Sequence, residues 1–136
     1  MAHSKDSPVA LVVEDDDQVR GFVSVVLQRH GFTVLTACDG TVELQMCRDH
    51  LDVRLLLADV ETSVYPNGID LADVLLRERP GINVLVISGM PEIGFQAAKR
   101  KLEFLEKPFM LRDLIDRLNR IMQTDVRSPI VRTVPI

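Results

Sequence analysis

The feature that most constrains this chain is a rhythm: short aliphatic runs alternate five times with longer segments of helical period. Val9–Val13 (VALVV), Thr33–Ala37 (TVLTA), Val53–Ala58 (VRLLLA), Asn83–Ile87 (NVLVI) and Glu103–Glu106 read as strands. After the first, Val19, Phe22, Val23, Val26 and Leu27 recur at spacings of three and four, with Gly31 as the stop. After the second, Asp39 reads as an N-cap for a short helix carrying Val42, Leu44, Met46 and Cys47. Helices are also expected over Ile69–Arg79, ended by Pro80-Gly81, over Pro91–Lys101, and over Met110–Gln123. The last has the fullest stripe, formed by Leu111, Leu114, Ile115, Leu118, Ile121 and Met122. Near-continuous apolar strands are buried on both faces, so the expected fold class is α/β: a doubly wound, five-stranded parallel sheet in a (βα)5 arrangement with right-handed crossovers. The expected organisation is an N-terminal extension over 1–8, one domain over 9–123 and a C-terminal tail over 124–136.

Charge narrows the function classes. Lys and Arg total 16 against 20 Asp and Glu, a net charge of −4, so a general nucleic-acid binder is not expected. Cys38 and Cys47 form no CxxC pair, and His3, His30 and His50 have no zinc-site spacing. The uncharged stretch Pro80–Pro91 falls short of the ~20 residues of a membrane span, and residues 1–8 lack the apolar middle of a signal peptide. The chain reads as soluble and cytoplasmic, without a membrane or direct nucleic-acid partner.

In an open parallel sheet, ligands bind beyond the carboxyl ends of the strands. Glu14, Asp15 and Asp16 follow the first strand, Asp59 the third, Ser88 the fourth and Lys107 the fifth. Carboxylates gathered at one edge repel one another unless a cation neutralises them. An all-oxygen donor set favours a hard ion such as Mg2+. A carboxylate beside Mg2+ can attack phosphorus and form an acyl phosphate, with an ammonium and a hydroxyl to steady the phosphoryl oxygens. Asp16 reads as a helix cap rather than a ligand.

The stretches LVVEDD (11–16), LLLAD (55–59), VLVISG (84–89) and FLEKPF (104–109), each at the end of an expected strand, resemble the receiver domain of bacterial two-component response regulators, of the chemotaxis type. The resemblance spans about Val9 to Met122. It implies a flavodoxin-like sheet of strand order 2-1-3-4-5. It implies Asp59 as phosphoacceptor, Asp15 as a direct Mg2+ ligand, Glu14 acting through water, and Glu61 offering its backbone carbonyl to the metal. Ser88 corresponds to the hydroxyl residue that bonds the phosphoryl group, and Lys107 to its lysine partner, with a cis bond to Pro108. Phe104 corresponds to the aromatic that turns inward on switching, although an aromatic there also reads as plain core. The implied function is that of a stand-alone response regulator, not an enzyme. A histidine kinase or histidine phosphotransfer protein would donate to Asp59, and a downstream protein would read the changed surface. Any homodimer would use the face of the fourth helix, fifth strand and fifth helix.

The chain departs from the family pattern in places. Thr62 and Ser63 stand where a hydrophobic residue and Pro are usual, Gly68 falls one position late after Asp59, and Phe104 replaces Tyr. The short span from Ser88 to Lys107 predicts a truncated fourth helix. These departures keep a second reading open, a receiver-fold adaptor acting by contact with weak or no phosphorylation. A third is a phosphohydrolase, since Asp59-Val60-Glu61-Thr62 is similar to the DxDxT motif of haloacid dehalogenases. That motif, however, follows the first strand and has Asp as its second acid.

Overall fold

The computed structural model describes residues 7–38, 43–61 and 67–123. The expected cap at Asp39, the loop residues Thr62 and Ser63, and the tail 124–136 lie outside the described residues. The element order is β1 (Val9–Val13), α1 (Asp17–Arg29), β2 (Thr33–Ala37), α2 (Glu43–Asp49), β3 (Val53–Asp59), α3 (Gly68–Glu78), β4 (Asn83–Ser88), α4 (Pro91–Lys99), β5 (Glu103–Glu106) and α5 (Leu111–Gln123). The strands form one parallel sheet of order β2-β1-β3-β4-β5. This is the flavodoxin-like arrangement expected above.

Burial follows the pleat. Successive side chains of a strand point to opposite faces. On β1, β3 and β4, one set (Ala10, Val12, Leu55, Leu57, Leu85, Ile87) packs with Val23, Val26 and Leu27 of α1 and Leu114, Leu118, Ile121 and Met122 of α5. The other set (Leu11, Val13, Leu56, Ala58, Val84, Val86) packs with Cys47 of α2, Ile69, Ala72 and Leu75 of α3, and Ile93 and Ala97 of α4. Two layers of helix therefore enclose the sheet, α1 and α5 on one side and α2, α3 and α4 on the other.

Local chemistry sets the helix ends. Asp16 caps α1, its carboxylate accepting from the N–H groups of Gln18 and Val19 at 2.9 and 3.0 Å. Asn67 caps α3 in a reciprocal box with Asp70, whose carboxylate takes the Asn67 N–H at 2.8 Å. α4 is short, as the span to Lys107 required, and Lys101 leaves it with φ of 57°. Phe22 differs from expectation: it lies at the rim of the α1 stripe and is 44% exposed, while Val23, Val26 and Leu27 take the core.

Arg79 ends α3 and ties it to the turn before β3. Its guanidinium donates to the carbonyls of Cys47 at 2.8 Å and Leu51 at 3.0 Å, and also to Val53. The planar fork reaches acceptors spread around its two terminal nitrogens, which a single ammonium nitrogen does not span. Arg79→Ala is expected to lower the unfolding free energy by about 2 kcal/mol, with Arg79→Lys recovering less than half of it. A fall in the urea midpoint at unchanged slope checks this.

Candidate functional site

Strand register builds the site. Asp59 ends β3 opposite Ile87 of β4, and Ser88 pairs with Glu106, one residue before Lys107. The Lys107 N–H donates to the Ser88 carbonyl at 3.0 Å, and the Val60 N–H to the Ile87 carbonyl at 2.8 Å, so backbone bonding continues past the strand ends. By the two-residue period, Glu14, Asp59 and Lys107 continue the pleat face of α1 and α5. Ser88 and Phe104 continue the opposite face.

The Lys107 ammonium stands among three carboxylates. Its Nζ lies 2.8 Å from Asp59 Oδ1, 3.1 Å from Glu61 Oε1 and 3.3 Å from Glu14 Oε1. Glu14 is buried, and its Oε2 accepts the Asp16 N–H at 3.1 Å. Asp59 Oδ1 is buried and meets Lys107 as an ion pair without the alignment of a hydrogen bond; among the described residues no other donor reaches it. Carboxylate oxygens of Glu14, Asp15 and Asp59 lie within 4.8 Å of one another. Asp15 is exposed, so this acidic group opens to solvent on its side. The all-oxygen set, with one buried oxygen short of a donor, fits a hard divalent cation.

The electrostatics follow from crowding. Burial first, then the Glu61 and Glu14 carboxylates, push Asp59 up to about 8 against the downward pull of Lys107. Glu61 moves the other way, lowered first by Asp59 and then by Lys107. Burial works against the Lys107 charge, but the carboxylates of Asp59, Glu61 and Glu14 outweigh it and hold the ammonium more firmly protonated than usual.

Ser88 is fully buried, and its hydroxyl accepts the Met90 N–H at 3.1 Å. The Lys107-Pro108 bond is cis, as the resemblance implied. Phe104 is half-buried against the α2–α3–α4 core. Its ring lies over Gly94 of α4, where an added Cβ would come within 3.2 Å of the ring. Gly68 plays a similar part at the start of α3, where a Cβ would meet Val60 Cγ2 at 2.7 Å. That close approach seats the helix directly behind the Asp59–Glu61 segment. Beside Lys107, a groove of about 480 Å³ is lined by Gln18, Val19, Phe22, Lys107, Pro108 and Phe109.

The structure thus brings together Glu14, Asp15, Asp59, Glu61 and Lys107, and sets Ser88 next to them in register. The side chain of Glu61 was not anticipated, since only its backbone had been assigned a part. The signal was present: two positions after Asp59, an extended chain returns its side chain to the same side.

Residues 10–119 match the family described as the response regulator receiver domain. The chain belongs to that family. Among relatives, it is 28% identical over 132 residues to the alkaline phosphatase synthesis transcriptional regulatory protein SphR of Synechococcus elongatus, covering 88% of this chain and 50% of SphR. It is 28% identical over 117 residues to the response regulator receiver protein CpdR of Brucella abortus, covering 82% of this chain and 94% of CpdR. The receiver thus spans half the length of SphR and nearly all of CpdR. A crystal structure of the chemotaxis protein CheY4 of Vibrio cholerae superposes with a TM-score of 0.70 at 23% identity, covering 88% of this receiver and 99% of CheY4, and shares its fold. No helix among the described residues of the receiver is long and apolar enough to cross a membrane.

The raised Asp59 has a measurable consequence in the metal-free receiver. A carboxyl whose folded pKa lies above its ordinary value stabilises the fold below about pH 4, and that stability is lost as pH rises through about 8. Asp59→Asn is therefore expected to be more stable than the parent at pH 8–9 by about 1–2 kcal/mol, a difference that closes toward pH 4. Urea unfolding in a chelator across that range checks both the size and the direction.

Proposed function

We propose that this receiver is a phosphorylation-driven switch that accepts a phosphoryl group on Asp59 from the phosphohistidine of a histidine kinase or phosphotransfer protein. Receivers in general are phosphoacceptor switches rather than catalysts of a turnover reaction. The observation that carries the reading is the Lys107 ammonium, 2.8 Å from a carboxylate oxygen otherwise surrounded by acids. An ammonium there serves an anion about to arrive, because phosphoryl transfer depends mostly on positioning and on neutralising charge at the equatorial oxygens.

In the reaction, an Asp59 oxygen attacks phosphorus. The new O–P bond forms as the N–P bond of the phosphohistidine breaks. The imidazole nitrogen keeps the bonding electron pair, and the ring, protonated on its other nitrogen, leaves as neutral imidazole. Lys107 holds one phosphoryl oxygen, and Ser88 supplies a hydroxyl at the neighbouring strand end. Asp15, Asp59 and the Glu61 carbonyl would hold Mg2+, with Glu14 behind them. When bound, the ion offsets the clustered negative charge and polarises the phosphoryl group. The groove between Phe22 and Phe109 opens beside Lys107 and gives a donor protein apolar surface next to the acceptor.

The proposed output is a change in a protein-binding surface, read by a downstream protein and biased by the new charge at Asp59. Labelling with phosphoramidate and Mg2+, followed by mapping of the modified residue, tests the acceptor. The parent is expected to incorporate one phosphoryl group at Asp59, and Asp59→Asn none. Label retained in Asp59→Asn, or label that ignores removal of Mg2+, would sink the reading. Ser88→Ala is expected to keep the label and lose at least half of the amide shift changes that phosphorylation produces in α4 and β5. Unchanged shifts would remove Ser88 from the switch.

A further inference from the structure

Lys107 carries three ammonium protons and meets three carboxylate oxygens, from Asp59, Glu61 and Glu14. In this state the ammonium donates hydrogen bonds to Glu61 and Glu14 and faces Asp59 as an ion pair, before any phosphoryl group arrives. A phosphoryl group joined to Asp59 brings further anionic oxygens to the same place. A phosphoryl group that draws the ammonium toward Asp59 pulls it away from its hydrogen bonds to Glu61 and Glu14.

The three contacts are not equally free to give way. Asp59 is the residue to be modified, and its side chain is 4% exposed. Glu14 is equally buried, and its second oxygen is fixed by the Asp16 N–H. Glu61 is 55% exposed, and Lys107 is the one cation among the described residues within ion-pair distance of it. A carboxylate so exposed exchanges its partner for water at small cost, because exposed ion pairs contribute little. It also places negative charge against the oxygen that must attack phosphorus, with Asp59 and Glu61 close enough to perturb each other.

We propose that the Glu61 carboxylate is a tethered competitor for Lys107: it holds the ammonium while Asp59 is unmodified and must be displaced into solvent when a phosphoryl group binds. The proposal rests on the acceptor reading of Asp59. Glu61 thereby sets how readily the site takes up a phosphoryl group, acting through Lys107 as a positioning residue. Its backbone carbonyl can still serve a metal, since the competing group is the side chain.

The test uses the full chain as parent, Glu61→Ala and Glu61→Gln, with three measurements. These are the Mg2+ dissociation constant from amide resonances, the affinity for beryllofluoride at saturating Mg2+, and the rate of phosphoryl uptake from phosphoramidate. Beryllofluoride reports on the phosphoryl position without chemistry. Both variants are expected to bind it three- to tenfold more tightly and to label faster by a similar factor, with Mg2+ binding within twofold of the parent. Glu61→Gln keeps the size of the side chain and loses its charge. If Glu61→Gln matches the parent while Glu61→Ala differs, the effect is steric and the competitor role fails. It also fails if Mg2+ binding weakens tenfold or more, which would make the carboxylate a metal ligand, or if neither variant gains affinity. A parent that neither labels nor binds beryllofluoride defeats the acceptor reading itself, and the competitor role with it. A parent that labels beside unchanged variants defeats the competitor role alone.

Discussion

One ammonium holds this site together. Glu14 and Asp59 are buried carboxylates on adjacent strands, a placement whose cost in desolvation and mutual repulsion is high unless a cation meets them. Lys107 does so from the end of the neighbouring strand pair, and its backbone N–H is itself fixed to the Ser88 carbonyl. The position of the charge is therefore set by the main chain of β4 and β5 rather than by a flexible loop. Lys107 does not answer the repulsion in full, since Asp59 is still pushed up to about 8, and a bound metal cation is the remaining way to favour its charged form. A phosphoryl group adds negative charge to the same cluster. Its arrival and the binding of a divalent ion are for that reason expected to favour each other, the ion offsetting the charge that the phosphoryl group adds.

The sheet explains why residues far apart in sequence can share one cation. Parallel strands present all their carboxyl ends at one edge, and the β2-β1-β3-β4-β5 order places β1 directly beside β3 and β3 beside β4. The chain reverses its direction of winding between β1 and β3, which opens a crevice at their ends. Glu14 and Asp59 line it from either side. The helices contribute by fixing the approach. Asp16 caps the start of α1 immediately after the acidic pair, and Gly68 lets α3 begin against Val60.

Much of this was legible in the residues. Aliphatic runs that stop abruptly at a charged or hydroxyl residue mark both a buried strand and its functional end, and Glu14, Asp59 and Ser88 each stand at such a boundary, with Lys107 directly after Glu106 of β5. Their identity as one cluster came from topology and resemblance, because spacing alone does not say which strand ends are neighbours. The α3 start falls at Gly68, one residue before the expected Ile69, and the Asn67 and Asp70 that cap it already stand at capping-box spacing in the sequence. Glu43 was invisible. It opens α2 as a charged residue would on any exposed helix, yet it is 2% exposed, and burial pushes its carboxyl up to about 7. Burial of that kind depends on which way a seven-residue helix rolls on the sheet, and so short a segment carries too little periodicity to tell.

The pleat also bears on how a charge event at Asp59 reaches the rest of the molecule. Asp59, Glu14 and Lys107 belong to the face covered by α1 and α5, whereas Ser88 and Phe104 belong to the face covered by α4. The two sets touch through main chain, where Lys107 is bonded to Ser88 and lies three residues from Phe104. A glycine inside a nine-residue helix is costly, by about 1 kcal/mol relative to alanine. At Gly94 that cost coincides with the Phe104 ring, which occupies the space where a side chain would stand. The ring and α4 therefore pack directly against each other. A rearrangement that draws the Ser88 hydroxyl from the Met90 N–H toward a phosphoryl group also removes a hydrogen bond just ahead of the first turn of α4. The loosened helix start and the ring seated at its middle act on the same short element.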